Sequence, residues 1–227
     1  LPDETESMNA PEDDGIFLVD IESGIKTMLF SLKNLAEQVE SKPCEEHYIN
    51  HISVSPNGKR FMFFHLWTKG STEPWKNRLC VSDINGANMI CLEEDGVVSH
   101  YCWIDDNTLL TTWVKGGYYI YDIARGKKTH LDVSQLANDG HPSCLDHNQF
   151  ISDTYPLKQS LQHLFMSSID GTNYQEIAEM VSDPRQYDEK RCDLHPRLSA
   201  SKRYVTCDST FKDGKRSILL FDIGGLN

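Results

Sequence analysis

Four histidines occupy the same place in a repeated pattern, each at or just ahead of a short run of strand-forming residues. They are His51, His100, His141 and His195. Imidazole nitrogens are common ligands of divalent metals, and an imidazole can act as a general base near neutral pH. A histidine in a repeat can also be a structural peg that hydrogen-bonds one repeat to the next. The pattern therefore leaves a functional site and a set of pegs as alternatives.

Two acidic residues and an arginine stand close to the last two histidines. Asp139 and Asp193 precede His141 and His195 by two positions, which places each pair on one side of an extended strand. Either carboxylate could orient an imidazole or join a metal shell. Arg197 follows His195 by two positions and could bind a ligand carboxylate through two parallel hydrogen bonds. These neighbours favour a site over pegs.

Further residues are candidates for contact with a substrate. They are His51, Arg191, Tyr155 and Trp67. Trp67 could stack on a sugar ring, and Arg191 could lend local positive charge to an anionic ligand. Tyr155 follows Asp153 at the end of a strand, where turn formation and hydrogen bonding between repeats are the favoured roles for both residues. The sequence contains no nucleophile elbow, phosphate loop or HExxH motif, so a covalent hydrolase is not supported.

Internal repeats predict how these residues are positioned. Five segments read as an apolar strand, usually an aspartate, an isoleucine and a turn with glycine: GIFLVDIESG, NRLCVSDINGA, GYYIYDIARG, HLFMSSIDGT and RSILLFDIGG. Their spacing centres on the roughly 40 to 50 residues of a propeller blade. Between them lie shorter hairpins, such as the one built on Pro56-Asn57-Gly58. Each repeat thus contains two hairpins, or four strands.

The repeats predict an all-β protein, a β-propeller of four-stranded antiparallel blades. About seventeen strands are expected: the last two of one blade, three full blades, and three strands of another. We expect residues 1–227 to form a single propeller domain that is incomplete at its N-terminus, with residues 1–14 as a flexible arm. Seventeen strands do not divide into four-stranded blades, so the four to five blades represented are part of a larger propeller or of a ring that distant strands complete. Because the first strand of each blade lines the channel of a propeller, the four histidines should converge near one mouth.

Composition limits the classes of partner. The net charge of −12 argues against a nucleic-acid binder, which needs a basic surface. No apolar run approaches the roughly 20 residues of a membrane span. The seven cysteines include no CxxC pair, which favours buried thiols and a reducing compartment. A cytoplasmic location is slightly favoured and a periplasmic one is possible, since a targeting segment could precede Leu1.

The ordered series NHISVSPNGKRFMFFHLW, SHYCWIDDNTLL, DGHPSCLDHNQFISD and HPRLSASKRYVTCDS resembles the oligogalacturonate lyase type of TolB-like β-propeller. The likeness runs from about residue 47 to the end. It implies a seven-bladed propeller that cleaves short pectic oligouronides by β-elimination at a manganese site. By this resemblance His100 is the general base, and His141 and His195 are metal ligands.

The resemblance fails at one point in the ligand set. The family has a glutamine and two closely spaced histidines where this chain has His195 alone. Asp193 could replace the missing ligand, Arg197 could replace the charge of the metal, or the site could be inactive. Two hypotheses follow. One is a metal-assisted lyase of acidic oligosaccharides, with His100 and Arg197 as catalytic residues; the other is a non-catalytic propeller that binds a protein or glycan.

Replacement of His100 separates a catalytic role from a structural one. We expect His100→Ala to abolish any lyase activity and to leave the thermal stability nearly unchanged, because a general base acts on the substrate and not on the fold. Activity assays and thermal unfolding measure the two effects. A large loss of stability would identify His100 as a structural peg.

Overall fold

The computed structural model describes residues 8–69, 75–157, 160–182, 191–210 and 214–226. These residues form seventeen β-strands, one short α-helix and one turn of 3-10 helix, so the protein is all-β as predicted. The chain divides into two compact units, residues 1–97 and 98–227. Within the described ranges, no helix is long and apolar enough to cross a membrane.

The first unit contains a two-stranded sheet and a four-stranded sheet, both antiparallel. Its elements are β1 (Gly15–Val19), β2 (Lys26–Ser31), α1 (Leu32–Ala36), β3 (Glu46–Val54), β4 (Arg60–Thr68), β5 (Lys76–Asp83) and β6 (Ile90–Glu93). The predicted turn at Asn57-Gly58 joins β3 to β4, and Gly58 there has a φ of 71°, a conformation that favours glycine.

The second unit contains two four-stranded sheets and a three-stranded sheet, again antiparallel. The first sheet has β7 (Val98–Trp103), β8 (Thr108–Trp113), β9 (Tyr118–Asp122) and β10 (Lys127–Leu131). The second has β11 (Ser143–Cys144), β12 (Gln149–Asp153), β13 (Leu161–Ser168) and β14 (Tyr174–Val181). The third has β15 (Arg197–Leu198), β16 (Tyr204–Ser209) and β17 (Ser217–Asp222).

The strands of each sheet follow one another in chain order, as in the blades of a β-propeller. The grouping into two, four, four, four and three strands matches the prediction, and the β-propeller fold is confirmed. The seven-bladed full protein and the single domain stay predictions. Residues 1–7 of the predicted arm lie outside the described residues. In the rest of that arm, the carbonyl of Asn9 accepts a hydrogen bond from the backbone of His47, and Pro11 is buried.

The repeated isoleucine has a structural explanation. In four repeats its backbone N–H donates, at 2.7 to 2.8 Å, to a carbonyl in the turn before the blade's second strand; the donors are Ile84, Ile123, Ile169 and Ile223. Each bond ties the end of the third strand to the hairpin between the first two. Ile21, in the two-stranded sheet, is 95% exposed. The isoleucine motif therefore marks a backbone hydrogen bond that requires the first two strands of the same blade.

Apolar residues of facing sheets form the core of the second unit. Phe150 and Phe165 of the second sheet pack with Leu110 and Tyr118 of the first. On its other face, the second sheet packs Ile151 and other residues against the third sheet. Its central strands are therefore buried on both faces, and four consecutive residues are buried in each of β12 and β13. This packing holds β7, β11 and β15 in place.

A chain of buried polar groups links β3, β4 and β5 in the first unit. The Arg78 Nε–H donates to His65 Nδ1 at 3.1 Å, so that nitrogen is unprotonated. The other ring nitrogen of His65 lies 2.9 Å from His47 Nδ1 and carries the hydrogen of the neutral ring. Burial lowers the pKa of His65 to about 3, and the charge of Arg78 adds to the effect. His65 is therefore a neutral link between Arg78 and His47.

We expect the protein to lose stability on acidification from pH 6.5 toward pH 3. Unfolded His65 takes up a proton near its ordinary pKa of 6.5, whereas folded His65 does so only near 3. The unfolded state thus binds more protons across this window, and the full shift corresponds to a loss on the order of 3–5 kcal/mol. Urea unfolding at a series of pH values measures it.

The matched variants are His65→Gln and His147→Gln, since the His147 side chain is 75% exposed. The His147 variant should retain the dependence of the wild type on pH. The His65 variant should be less stable at neutral pH and lose less on acidification. Equal pH dependence in wild type and His65→Gln would contradict the assignment.

Candidate metal and anion site in the second unit

Three of the four repeated histidines come together in the second unit. The ring centroids of His100 and His141 are 4.1 Å apart, and those of His141 and His195 are 3.9 Å apart. His100 lies in β7, whereas His141 and His195 lie just ahead of β11 and β15. The predicted convergence is therefore confirmed for these three residues. His51 belongs to the first unit.

Asp153 holds two of these histidines. It is the last residue of β12, and its side chain is completely buried. One carboxylate oxygen accepts from the backbone N–H of His141 at 2.6 Å and lies 2.9 Å from the ring Nδ1. The other oxygen accepts from the backbone N–H of His195 at 3.0 Å. A single buried carboxylate therefore fixes both segments, and without these donors its burial would be strongly unfavourable.

The contact with Asp153 determines the chemical form of His141. In the neutral ring, a carboxylate beside Nδ1 keeps the ring hydrogen on that atom, which leaves the lone pair on Nε2. Nε2 of His141 is buried and has no hydrogen-bond partner among the described residues. Buried polar atoms are normally paired, so this imidazole nitrogen is available to a ligand or to a water molecule. An imidazole that a carboxylate orients in this way suits a metal ion.

Asp193 and His195 supply the remaining donors. One ligand atom each from His141, His195 and Asp193 lies within 4.8 Å of the others. Burial lowers the pKa of His195 and the neighbouring His141 lowers it further, so the ring is neutral at pH 7 and can donate a lone pair. Two imidazole nitrogens and a carboxylate suit a divalent transition metal better than calcium, which prefers oxygen ligands.

A second group of possible metal ligands lies on the β13–β14 pair: His163, Glu176 and Glu179. His163 Nδ1 is 2.8 Å from the Glu176 carboxylate, and both glutamates are about half exposed. This group is separate from the three histidines and serves below as a control.

Arg191 brings positive charge to the histidine cluster. Its Nε–H donates to both oxygens of Asp193 at 2.9 Å, and its guanidinium carbon lies 4.8 Å from the ring centroid of Tyr155. The ring of Tyr155 is in turn 5.1 Å from that of His141. Burial, together with the charges of Asp139 and Asp193, raises the pKa of Tyr155 to about 12, so its hydroxyl stays a hydrogen-bond donor. The predicted substrate-binding residues Arg191 and Tyr155 are thus both beside the imidazoles.

Arg197 is not brought to this cluster by any contact found in the described part of the chain. The prediction assumed that side chains alternate regularly from His195 to Arg197. His195 instead has a φ of 43°, which interrupts the extended conformation, and β15 begins only at Arg197. Arg197 is exposed, and its backbone pairs with Thr206. Its predicted catalytic role lacks geometric support, and Arg191 is the arginine beside the histidines.

His100 and Asp139 form a pair at the other side of His141. The carboxylate of Asp139 is 3.8 Å from His100 Nδ1, and the Ser99 hydroxyl lies 3.0 Å from the same nitrogen. Burial acts to raise the pKa of Asp139, but the polar side chains of His100, Ser99 and Thr112 around it outweigh burial and lower the pKa. Asp139 is therefore ionised at neutral pH and stabilises positive charge on His100.

Gly140 allows the segment with His141 to approach the end of β12. A Cβ at this position would lie 1.9 Å from the carbonyl oxygen of Asp153, so no other residue fits without a backbone shift. The carbonyl of Gly140 also accepts from the Thr112 hydroxyl at 2.9 Å. The Asp139-Gly140-His141 sequence thus places a carboxylate and an imidazole on either side of a close backbone contact.

The two remaining substrate-binding candidates lie in the first unit. His51 is exposed, has a φ of 53°, and contacts the ring of Phe64 edge-on at 5.6 Å. Trp67 is only 6% exposed and stacks on His47 at 6.1 Å between ring centroids. Its ring therefore packs against an imidazole, which argues against its predicted role as a platform for a sugar.

For Asp153, the sequence favoured turn formation and hydrogen bonding between repeats over a role in the site. Its predicted turn and repeat-linking role holds in part, since it bonds to His195 ahead of the next sheet. The segment FISD indicated a role in the site as well, because an acidic residue ends a strand that is otherwise buried. A charge at such a position needs several donors, and the nearby histidines are candidates.

The fold and this geometry define the class of the protein as a β-propeller with a polar site of clustered imidazoles. No protein-family model and no curated protein sequence matches the chain. Among solved structures, the chain is similar to the tricorn protease, with a TM-score of 0.61 and 11% identity over 92% of this chain and 23% of that one.

Two oligogalacturonate lyases are also similar in structure. One, in complex with manganese, has a TM-score of 0.53 and 10% identity over 91% of this chain and 70% of the other. The lyase from Vibrio parahaemolyticus has a TM-score of 0.51 and 10% identity over 92% and 72%. At these identities the likeness shows the β-propeller fold.

Replacement of Asp153 tests its control of the site. Asp153→Asn keeps the size of the side chain but points an amide N–H₂ at a backbone or ring N–H, so we expect a loss of about 2–4 kcal/mol in the free energy of unfolding. Chemical denaturation measures the loss. The matched control is Asp222→Asn, which alters an exposed pair with Arg203 and should change stability little. Similar small effects of both variants would contradict the role of Asp153.

Proposed function

We propose that the second unit holds a divalent metal, manganese foremost, at His141, His195 and Asp193 and acts on an acidic oligosaccharide as an oligouronide lyase. The observation that carries the proposal is the buried, unpaired Nε2 of His141, oriented through Asp153. The printed description of one similar structure, an oligogalacturonate lyase in complex with manganese, supports the same chemistry.

The donor set fits the metal. A divalent ion at this position would neutralise a uronate carboxylate and make the neighbouring C5–H more acidic. Asp193 would have to serve both Arg191 and the metal, which a carboxylate can do because its two oxygens offer about four lone-pair sites. Arg191 thereby holds Asp193 in position and adds positive charge for an anionic ligand.

Tyr155 and Arg191 would position the sugar acid. The guanidinium offers paired N–H donors that match a carboxylate, and the Tyr155 hydroxyl offers one more donor. The ring of Tyr155 is 5.1 Å from that of His141, so a sugar acid held by both residues would have its carboxylate near the histidines. An acidic glycan would therefore meet a guanidinium and a phenolic hydroxyl on a protein whose net charge is −12.

His100 would remove the proton from C5 of the uronide. The proton moves to Nε2 of His100, and the nearby Asp139 carboxylate stabilises the resulting imidazolium at Nδ1. As the C5–H bond breaks, the electron pair forms a C4–C5 double bond and the C4–O bond breaks. The departing oxygen takes up a proton, and the products are a shorter sugar and an unsaturated uronide.

A second candidate function is binding without catalysis, to a glycan or a protein. The observation that favours it is the paired state of Asp193, whose carboxylate charge is already balanced by Arg191 at 2.7 to 2.9 Å. In that case the imidazoles, Arg191 and Tyr155 would bind an anionic group directly.

The first experiment is the metal content of the purified protein after dialysis against manganese. We expect near-stoichiometric metal in the wild type and loss of it in the His141→Ala, His195→Ala double variant, because two of three donors are gone. His163→Ala is the matched control, since it disrupts the separate group on β13 and β14. Circular dichroism checks that all three proteins are folded.

Lyase activity is measured by the ultraviolet absorbance of the unsaturated product formed from short oligogalacturonates. The lyase proposal requires turnover that depends on metal and on His100. Metal without turnover would favour binding alone. Wild-type protein that neither retains metal nor cleaves oligouronides would overturn the proposal.

A further inference from the structure

Two cysteines that follow His100 and His141 in sequence face each other in the second unit. Cys102 lies in β7 and Cys144 in β11, and their sulfur atoms are 3.0 Å apart. Both are free thiols and both are partly buried. Since a disulfide bond is about 2.05 Å long, the sulfurs need to approach by roughly 1 Å to bond.

The surroundings place this pair at the junction of two sheets. β7 is the first strand of one sheet and β11 the first strand of the next, and both cysteines pack against the apolar cluster of Leu110, Phe150 and their neighbours. Cys102 follows His100 by two residues, and Cys144 follows His141 by three. The two thiols therefore connect the same strands that position two of the imidazoles.

We propose that Cys102 and Cys144 form a reversible disulfide that links β7 to β11. A two-electron oxidant of the peroxide class converts one thiol to a sulfenic acid and releases water. The second thiol attacks that sulfur and releases another water as the S–S bond forms. The two thiols lose two electrons and two protons in total, and a dithiol reductant reverses the reaction by exchange.

Burial makes the first oxidation slow, and the contact between the two sulfur atoms makes the second step selective. Burial raises the pKa of the Cys102 thiol well above the ordinary value, with a further contribution from Cys144, so little Cys102 thiolate is present at neutral pH. Once one sulfur is oxidised, however, the other is already in contact with it, and the second step needs no search. Exposed Cys44 lacks such a neighbouring thiol in the described structure and differs in this respect.

The crosslink would restrain two strands that lie far apart in sequence. The two cysteines are separated by 42 residues, so the bond would remove conformational entropy from the unfolded chain. It would also hold β7 at a fixed distance from β11, whether or not a metal binds between the histidines. The oxidised protein should therefore be more stable than the reduced protein.

The test exposes the folded full chain to hydrogen peroxide, blocks remaining thiols, and maps crosslinks by mass spectrometry. We expect one peptide pair joining Cys102 to Cys144, a rise in Tm of roughly 5–15 °C, and reversal of both by dithiothreitol. Cys144→Ala should lose the crosslink and the rise in Tm. The matched control, Cys44→Ser, should retain both.

Two results would overturn the proposal. One is peroxide treatment that leaves Cys102 and Cys144 as thiols or converts them to sulfinic acid without a crosslink. The other is a crosslink between Cys80 and Cys91, which face each other across β5 and β6, in place of the predicted one. Because the readouts are a peptide map and a Tm, neither depends on metal content or lyase activity.

Discussion

The buried carboxylate of Asp153 is the interaction on which the second unit's polar site depends. A completely buried charge is tolerated only when donors surround it, and here the donors are two backbone N–H groups and an imidazole. Satisfying that charge brings the segments of His141 and His195 together. It also leaves the Nε2 lone pair of His141 without a partner among the described residues. The arrangement that stabilises the fold thus also prepares an atom for a ligand.

The sheets and the site are related through the first strands of the repeats. The apolar faces of neighbouring sheets set the positions of β7, β11 and β15, and the histidines at or just before these strands are carried into contact. Local backbone geometry then adjusts each residue: Gly140 permits a close approach, and the positive φ of His195 turns its segment toward Asp153. Packing supplies the approximate convergence, and these two residues supply the final geometry.

The strand count, the sheet grouping and the meeting of three histidines could be predicted because they follow from periodic patterns. The lack of a contact between Arg197 and the histidines, in the part of the chain that the structure describes, could not be predicted, because it depends on the positive φ of His195, which no pattern of side-chain types indicates. The burial of Trp67 was missed for a similar reason, since its stacking partner His47 lies opposite it on the neighbouring strand β3. Repeats predict the positions of residues along a strand, whereas side-chain contacts depend on bends and bulges within it.

The hydrogen bonds of Asp153 also have a consequence for the order of folding. Its contact with His141 spans 12 residues, but its contact with His195 spans 42 and joins two successive sheets. Contacts between distant residues form late, because the entropy of closing the intervening chain must first be overcome. The second sheet can therefore acquire its own strand pairing while His195 is still remote. The site is complete only when the third sheet has docked against the second, so its assembly follows the pairing of the second sheet's own strands.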